Sequence, residues 1–183
     1  MDTIIETDRL LIRRFTPTDW SDLHEYLSQE SVVRYEPYGI FTELESKAEA
    51  ARRSLDPSFW AVWHKTHRKV IGNVYLSEQN FNTWELGFVF NTNYQSQGFA
   101  KGAVTALINT VFATHDARRI VAACNPLNER SWRLLERLGF RREGHLLKNI
   151  FFKKDHEGHP IWCDTYEYAI LAPEWESTHR IAG

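Results

Sequence analysis

Gln95-Ser96-Gln97-Gly98-Phe99-Ala100 stands between an apolar run, residues 84–90, and a segment in which Ala103, Val104, Leu107, Ile108, Val111 and Phe112 recur at helical spacing. The recurrence predicts a helix over about 98–114, and the run before it predicts a strand. A glycine-bearing turn from strand to helix is what a chain needs to hold a pyrophosphate on bare backbone amides. The first N–H groups of a helix have no intrahelical partner and the helix dipole adds partial positive charge, so an anion docks there without a basic side chain. Gly98 lacks a Cβ, which lets the backbone approach a ligand closely. The six residues alone admit a second reading, a tight turn that holds no ligand.

Working outward, residues 59–64, 70–76 and 84–90 read as three strands separated by polar turns, an antiparallel meander. Beyond the helix, Arg119-Ile120-Val121-Ala122-Ala123-Cys124 reads as a short buried strand. Asn128 then caps a helix marked by Trp132, Leu134, Leu135 and Leu138 and closed by Gly139. Strand, glycine turn, helix, strand and helix form a βαβα unit, so 84–90 and 119–124 are expected to be parallel neighbours. Residues 146–152 and 161–171 flank a turn-rich stretch, 153–160, and read as a terminal hairpin. Upstream, Leu10-Leu11-Ile12-Arg13-Arg14-Phe15 reads as the first strand. Thr16 and Pro17 then start a helix carrying Trp20, Leu23 and Leu27. Thr42-Glu43-Leu44-Glu45 is a capping box that opens a helix with Leu44, Ala48, Ala51 and Leu55 on its expected apolar stripe. Between these helices, Arg34-Tyr35-Glu36-Pro37-Tyr38-Gly39 is a loop. The fold expected is mixed α/β: a central, mostly antiparallel sheet with one parallel pair and antiparallel flanks.

The 183 residues fit one domain, and the 43% hydrophobic and 14% aromatic content excludes a disordered chain. Lys and Arg total 22 against 24 Asp and Glu, without the basic excess of a general nucleic-acid binder, so no direct nucleic-acid partner is expected. No window approaches eighteen consecutive apolar residues, and the acidic start Met1-Asp2-Thr3-Ile4-Ile5-Glu6 lacks a long apolar core. The expectation is a cytoplasmic protein with no membrane partner. Cys124 and Cys163 are accordingly expected to remain reduced.

These residues resemble the GNAT superfamily of acyl-CoA-dependent N-acetyltransferases, in its RimJ/RimL-type branch. Thr7-Asp8-Arg9-Leu10-Leu11-Ile12-Arg13 is similar to the branch's first strand, and Trp84-Glu85-Leu86-Gly87-Phe88 to its fourth. Gln95 to Ala100 fits the family's acyl-CoA signature: Gln or Arg, two variable residues, Gly, one variable residue, then Gly or Ala. Asn125-Pro126-Leu127-Asn128-Glu129-Arg130-Ser131 with Leu138-Gly139-Phe140 resembles the next helix and its exit. The likeness runs over about residues 7–172 in consistent order, which implies a single N-acetyltransferase domain over 1–183, helices on both sheet faces, and a parallel pair that splays apart.

The resemblance implies acetyl-CoA as co-substrate and gives each part of it a partner. The diphosphate falls to the segment Gln95, Ser96, Gln97, Gly98, Phe99, Ala100 and Lys101, through amides at the helix start. The pantetheine arm pairs like an added strand with the backbone of Phe88, Val89 and Phe90, joined by Asn125 and Asn128; Asn128 reads equally well as a pure helix cap. Acetyl transfer needs a neutral amine, and near pH 7 α-amino groups are largely and lysines almost wholly protonated. Glu85, at the family's acid position, is the candidate to collect that proton directly or through water, against a plain surface salt bridge. Ser131 is the candidate hydrogen-bond donor to the departing CoA sulfur, against a hydroxyl that solvates the helix start.

Other chemistry is set lower. Cys124 reads as a small buried hydrophobe rather than a nucleophile, and the pairs His64/His67 and His156/His159 lack further ligands at zinc spacing, so no metal is expected. Tyr35, Tyr38 and Trp60, with Phe152 and Trp162, border the family's acceptor pocket, although packing explains each singly. The function read is transfer of acetyl from acetyl-CoA to a primary amine in a ternary complex, the branch implying a protein N-terminal α-amino group. A small-amine acetyltransferase for polyamines or antibiotics, a silent acyl-CoA-binding module and an interaction domain are the rivals. The branch contains many dimers, so a homodimer is one expectation for assembly.

Overall fold

The computed structural model describes residues 4–179. Met1–Thr3 of the acidic N-terminal stretch lie outside them. In chain order the elements are β1 (Ile5–Glu6), β2 (Leu10–Arg14), α1 (Trp20–Leu27), α2 (Glu30–Val33), α3 (Glu43–Leu55), β3 (Phe59–His64), β4 (Lys69–Gln79), β5 (Thr83–Phe90), α4 (Phe99–Thr114), β6 (Arg119–Cys124), α5 (Glu129–Arg137), β7 (Arg141–Lys154), β8 (Pro160–Leu171) and α6 (Ala172–Thr178). Hydrogen-bonded strands follow the order β1-β2-β3-β4-β5-β6-β8-β7. β5 and β6 are parallel; β1/β2, β2/β3, β3/β4, β6/β8 and β7/β8 are antiparallel. The mixed α/β sheet with one parallel pair is thus as expected. The chain divides into two compact units: residues up to Ser77 with Gly87–Thr110, and Glu78–Leu86 with Val111 onward.

In the first unit, Ala61 of β3 and Val89 of β5 pack against Leu23, Tyr26 and Leu27 of α1 and Ala50 of α3. Trp63 joins that face, so its neighbour His64 points to the other by strand alternation. There His64 meets Phe99 of α4 edge-on, with ring centroids 4.9 Å apart. Helices therefore cover both faces of these strands.

The helix starts follow their sequence signals. Pro17–Asp19 forms a 3-10 turn ahead of α1, with the Thr16 amide donating to the Asp19 carboxylate at 2.7 Å. The Thr42 hydroxyl accepts from the Glu45 amide and the Glu45 carboxylate receives the Thr42 amide, a reciprocal cap of the kind that contributes about 1 kcal/mol. The stripe expected on α3 is not its buried one. Leu44 and Leu55 are 77% and 86% exposed, and Ala48 and Ala51 are exposed with them. The inward residues are Ser46, Ala50 and Arg53.

In the second unit, β6 lies between β5 and β8, paired as Glu85↔Val121 on one side and Cys124↔Tyr166 on the other. Gly139 ends α5 at φ +89°; its amide donates to the Glu136 carbonyl and the Phe140 amide to the Leu135 carbonyl, both at 3.0 Å, a Schellman ending. β7 begins at Arg141, five residues before the expected strand at 146, because its charged start finds partners: Arg119 pairs with Glu143, and the Arg142 guanidinium lies 3.7 Å from the Tyr166 ring centroid.

Candidate active site

Gly98 stands at φ +82° and Ser96 at φ +60°, left-handed backbone on both sides of Gln97. The Gly98 carbonyl accepts the first helical bond of α4, from the Gly102 amide at 2.9 Å, which makes Gly98 the N-cap. In α3 and α5 the cap has a side chain that occupies an amide of the first turn: Thr42 takes that of Glu45, and Asn128 that of Ser131. A glycine cap supplies none, and the amides of Phe99, Ala100 and Lys101, in the first turn, have no intrahelical acceptor. Two side chains brace the approach: the Gln97 amide donates to the Asn93 carbonyl at 2.8 Å and the Gln95 amide to the Phe90 carbonyl at 2.9 Å.

Upstream, a Cβ built on Gly72 of β4 would lie 2.6 Å from the Val89 carbonyl oxygen, a contact only glycine permits. That carbonyl is turned toward β4. Peptide groups alternate along a strand, so those of Phe88 and Phe90 face the opposite edge. Sequence reasoning missed Asn91. It is fully buried, its amide donates to the Ile71 carbonyl at 3.0 Å, its side-chain oxygen accepts from the Asn93 amide at 3.1 Å, and its side-chain nitrogen donates to Glu25 at 2.8 Å. An Asn directly after an apolar run was the available signal.

Arg9 was also missed as a site residue. Its guanidinium donates to the Gln97 carbonyl at 3.1 Å and lies 4.4 Å from the centroid of the Phe99 ring. Phe99 belongs to an aromatic cluster with His64, His67 and Tyr94, in which the two imidazoles stack at 4.3 Å. His64 Nδ1 accepts from the His67 amide, and burial holds the His64 imidazole below its ordinary pKa, with His67 and Arg9 adding to the effect.

In the second unit, Glu85 is exposed on β5, at 3.5 Å from the Gln79 side-chain amide, the outer limit of a hydrogen bond. Asn125 uses its side-chain oxygen to accept from the Leu127 amide at 2.9 Å, and Asn128 accepts from the Ser131 amide at 3.3 Å. Asn128 is therefore a helix cap. Burial pushes the Cys124 thiol up to about 11, with the Ser131 side chain acting in the other direction. A thiol so disposed is protonated near neutral pH and is not a ready nucleophile.

On the α1/α3 face of the first unit a polar network surrounds Arg53, which is 1% exposed. Its guanidinium donates to Glu49 at 2.7 Å and to the Asn73 side-chain oxygen at 2.9 Å, which also accepts from the Tyr26 hydroxyl at 3.0 Å. Glu36 and Tyr38 adjoin Arg53, and burial raises the Glu36 carboxyl to about 7, with Tyr38 and Arg53 opposing the shift. Tyr38 thus belongs to this network. Trp60 does not: it is buried on the opposite face of β3, under the Arg14 guanidinium at 3.6 Å. Phe152 and Trp162 are exposed on the terminal hairpin. In its turn, ligand atoms of Asp155, Glu157 and His159 lie within 4.8 Å of one another. The Asp155 carboxylate there accepts the Glu157 and His159 amides at 2.9 Å, so turn geometry accounts for the grouping.

The acetyltransferase (GNAT) domain model matches residues 9–141, which takes in β2, the Arg9 contact, the glycine-capped helix and α5. The chain belongs to the GNAT family of acetyltransferases. It is 39% identical over 176 residues to the uncharacterized N-acetyltransferase YnaD of Bacillus subtilis (strain 168), covering 93% of this chain and 98% of that protein. To the [ribosomal protein uS5]-alanine N-acetyltransferase of Escherichia coli (strain K12) it is 26% identical over 184 residues, 93% of this chain and 92% of that one. The GNAT-family acetyltransferase from Bacillus anthracis shares the fold with a TM-score of 0.83 and 34% identity, over 93% of this chain and 99% of that one. This GNAT protein is thus an N-acetyltransferase. No helix among the described residues is long and apolar enough to cross a membrane.

Proposed function

We propose that this chain, as one N-acetyltransferase domain, transfers the acetyl group of acetyl-CoA to a primary amine, with the N-terminal α-amino group of a protein as the acceptor. The observation that carries the reading is the cap of α4: a glycine at φ +82° leaves first-turn amides uncovered where the caps of α3 and α5 each cover one. In this reading residues 95–101 hold the diphosphate, and the backbone of Phe88 and Phe90, the edge opposite β4, takes the pantetheine arm. Asn125 and Asn128 are assigned to the same arm, Asn128 while capping α5.

The chemistry is direct attack. Glu85 takes a proton from the bound ammonium, itself or through one water, and the freed lone pair forms the C–N bond at the thioester carbonyl. As the tetrahedral intermediate collapses the C–S bond breaks, and the Ser131 hydroxyl donates to the departing thiolate. An α-amino group, with a pKa near 8, is deprotonated far more easily than a lysine near 10.4, which favours the N-terminal acceptor for a single exposed carboxylate. The similarity to a ribosomal-protein alanine N-acetyltransferase supports the same choice. We extend the proposal to self-association through the terminal hairpin, where Leu147, Phe151, Phe152 and Trp162 are exposed.

Thiol release from acetyl-CoA, followed with peptides bearing N-terminal Ala or Ser and with spermidine, tests the acceptor. Faster turnover of the peptides is expected; turnover of spermidine alone would assign the chain to small amines, and acetyl-CoA binding without turnover on any amine would make it a silent module.

A further inference from the structure

Arg9 begins the segment that leads into β2, far in sequence from the glycine-capped helix, yet its guanidinium is built into that helix start. One N–H donates to the Gln97 carbonyl at 3.1 Å. The cationic plane lies over the Phe99 ring at 4.4 Å. A second nitrogen lies 3.3 Å from where a Cβ on Gly98 would be. A single side chain thus touches Gln97 and Phe99 and lies beside Gly98 between them, and the Gln97 bond uses only one of its five donors. Lys101, the basic residue within the loop itself, sits in the first turn and is exposed.

Resting on the diphosphate reading above, we infer that Arg9 is a positioning residue for the acyl-CoA diphosphate: it fixes the Gln97–Gly98–Phe99 backbone and sets a permanent positive charge beside the amides that receive the anion. Two physical demands converge on arginine. Left-handed backbone at Ser96, a non-glycine residue, is a sparsely populated state that persists only when its surroundings hold it, and a hydrogen bond to the next carbonyl combined with a stacked plane does so. A guanidinium stays charged at every working pH and presents a planar fork suited to phosphate, which a lysine ammonium does not. The role also gives a reason for Gly98 beyond its φ, since a side chain there would crowd the guanidinium.

The test compares wild type, Arg9→Gln and Arg9→Lys on acetyl-CoA and on S-acetyl-pantetheine, which keeps the thioester and arm but lacks the diphosphate. Arg9→Gln is expected to raise the KM and Kd for acetyl-CoA about tenfold or more, the scale of one charge-assisted hydrogen bond, with kcat at saturation retained. Arg9→Lys should recover part of the loss, and S-acetyl-pantetheine should be used equally well by all three. Unchanged acetyl-CoA affinity in Arg9→Gln overturns the inference, and so does an equal loss for both thioesters, which would mark a general structural role. Should Arg9→Gln fail to fold, Arg9→Lys carries the same comparison, with undiminished affinity for acetyl-CoA as the overturning result. If wild type itself retains no acetyl-CoA, the diphosphate reading fails first and this inference with it.

Discussion

The carbonyl of Gly98 accepts from the amide of Gly102 at 2.9 Å, so the residue that closes the first turn of α4 has no side chain with which to cover the amides it leaves open. Gly98→Glu is expected to weaken acetyl-CoA binding by about two orders of magnitude. It adds a like charge at the proposed phosphate site, and the new carboxylate would sit against Arg9 and neutralise it. Gly98→Ala separates the conformational part: a Cβ at φ +82° costs about 1–2 kcal/mol of stability. Isothermal titration beside thermal unfolding reads both. Full acetyl-CoA affinity in Gly98→Glu would remove the basis for placing the diphosphate here.

Glu85→Gln tests the proton acceptor. The amide keeps shape and polarity but cannot take a proton, so kcat should fall by about 10²–10⁴, the usual share of a general base, with the Kd for acetyl-CoA unchanged. The defect should shrink as pH rises toward the pKa of the acceptor, because solvent then supplies the neutral amine. A pH–rate profile of wild type and variant that run parallel would leave Glu85 as a surface carboxylate that only touches Gln79.

The strands and helices around the glycine motif were legible because each has a strong local signal: short apolar runs bounded by polar turns in β3 to β5, and a 3.6-residue recurrence in α4. What escaped has physical reasons. On α3 the stripe of Leu44, Ala48, Ala51 and Leu55 obeys the helical period yet faces solvent, because the inward surface is built of small and polar residues that satisfy one another: Ser46 with His24 at 3.0 Å, and Arg53 with Glu49 and Asn73. Hydropathy cannot distinguish a buried arginine that is satisfied by Glu49 on its own helix and by Asn73 on β4. β7 starts in charged residues whose partners lie on β6 and β8, and so does not look like a strand locally. α6 did carry a local signal in Pro173 and Glu174, whose carboxylate receives the Leu171 amide at 2.7 Å. Within the proposed site, the turn at residues 95–101 carries a local signal in its glycine, whereas Arg9 and Asn91 make contacts with residues far from them in sequence.

Glu36 sets a pH dependence opposite to that of most carboxylates. Burial raises its folded pKa to about 7, above an unfolded value of 4.5, with Tyr38 and Arg53 only partly opposing the shift. Between these values the unfolded chain loses its proton first, so the folded state binds more protons and its stability falls as pH rises through the window. The contribution is fully present below about pH 4.5 and gone above about pH 7. Glu36→Gln should flatten this part of the stability curve, measured by urea midpoints from pH 5 to 8. A wild-type midpoint that is level or rising across that range, with no difference from the variant, would place the Glu36 carboxyl in solvent.

Ser131 and Asn128 allow catalysis and folding to be separated at one helix start. The cap of α5 is a bond from the Ser131 backbone amide to the Asn128 side chain, so Ser131→Ala keeps it and removes only the hydroxyl. Ser131→Ala should therefore unfold within about 0.5 kcal/mol of wild type, as substitutions that spare caps and cores do. If the hydroxyl donates to the leaving thiolate, kcat for acetyl-CoA should drop by about tenfold or more with KM little changed. A thioester with a more acidic thiol needs no such donor and should lose less. Asn128→Ala should behave the other way in stability, costing about 1 kcal/mol through the lost cap, and should also weaken acetyl-CoA if the same side chain reaches the pantetheine arm. Ser131→Ala with wild-type kcat on both thioesters would leave the Ser131 hydroxyl no part in catalysis, and Asn128→Ala with wild-type acetyl-CoA affinity would leave Asn128 a cap alone.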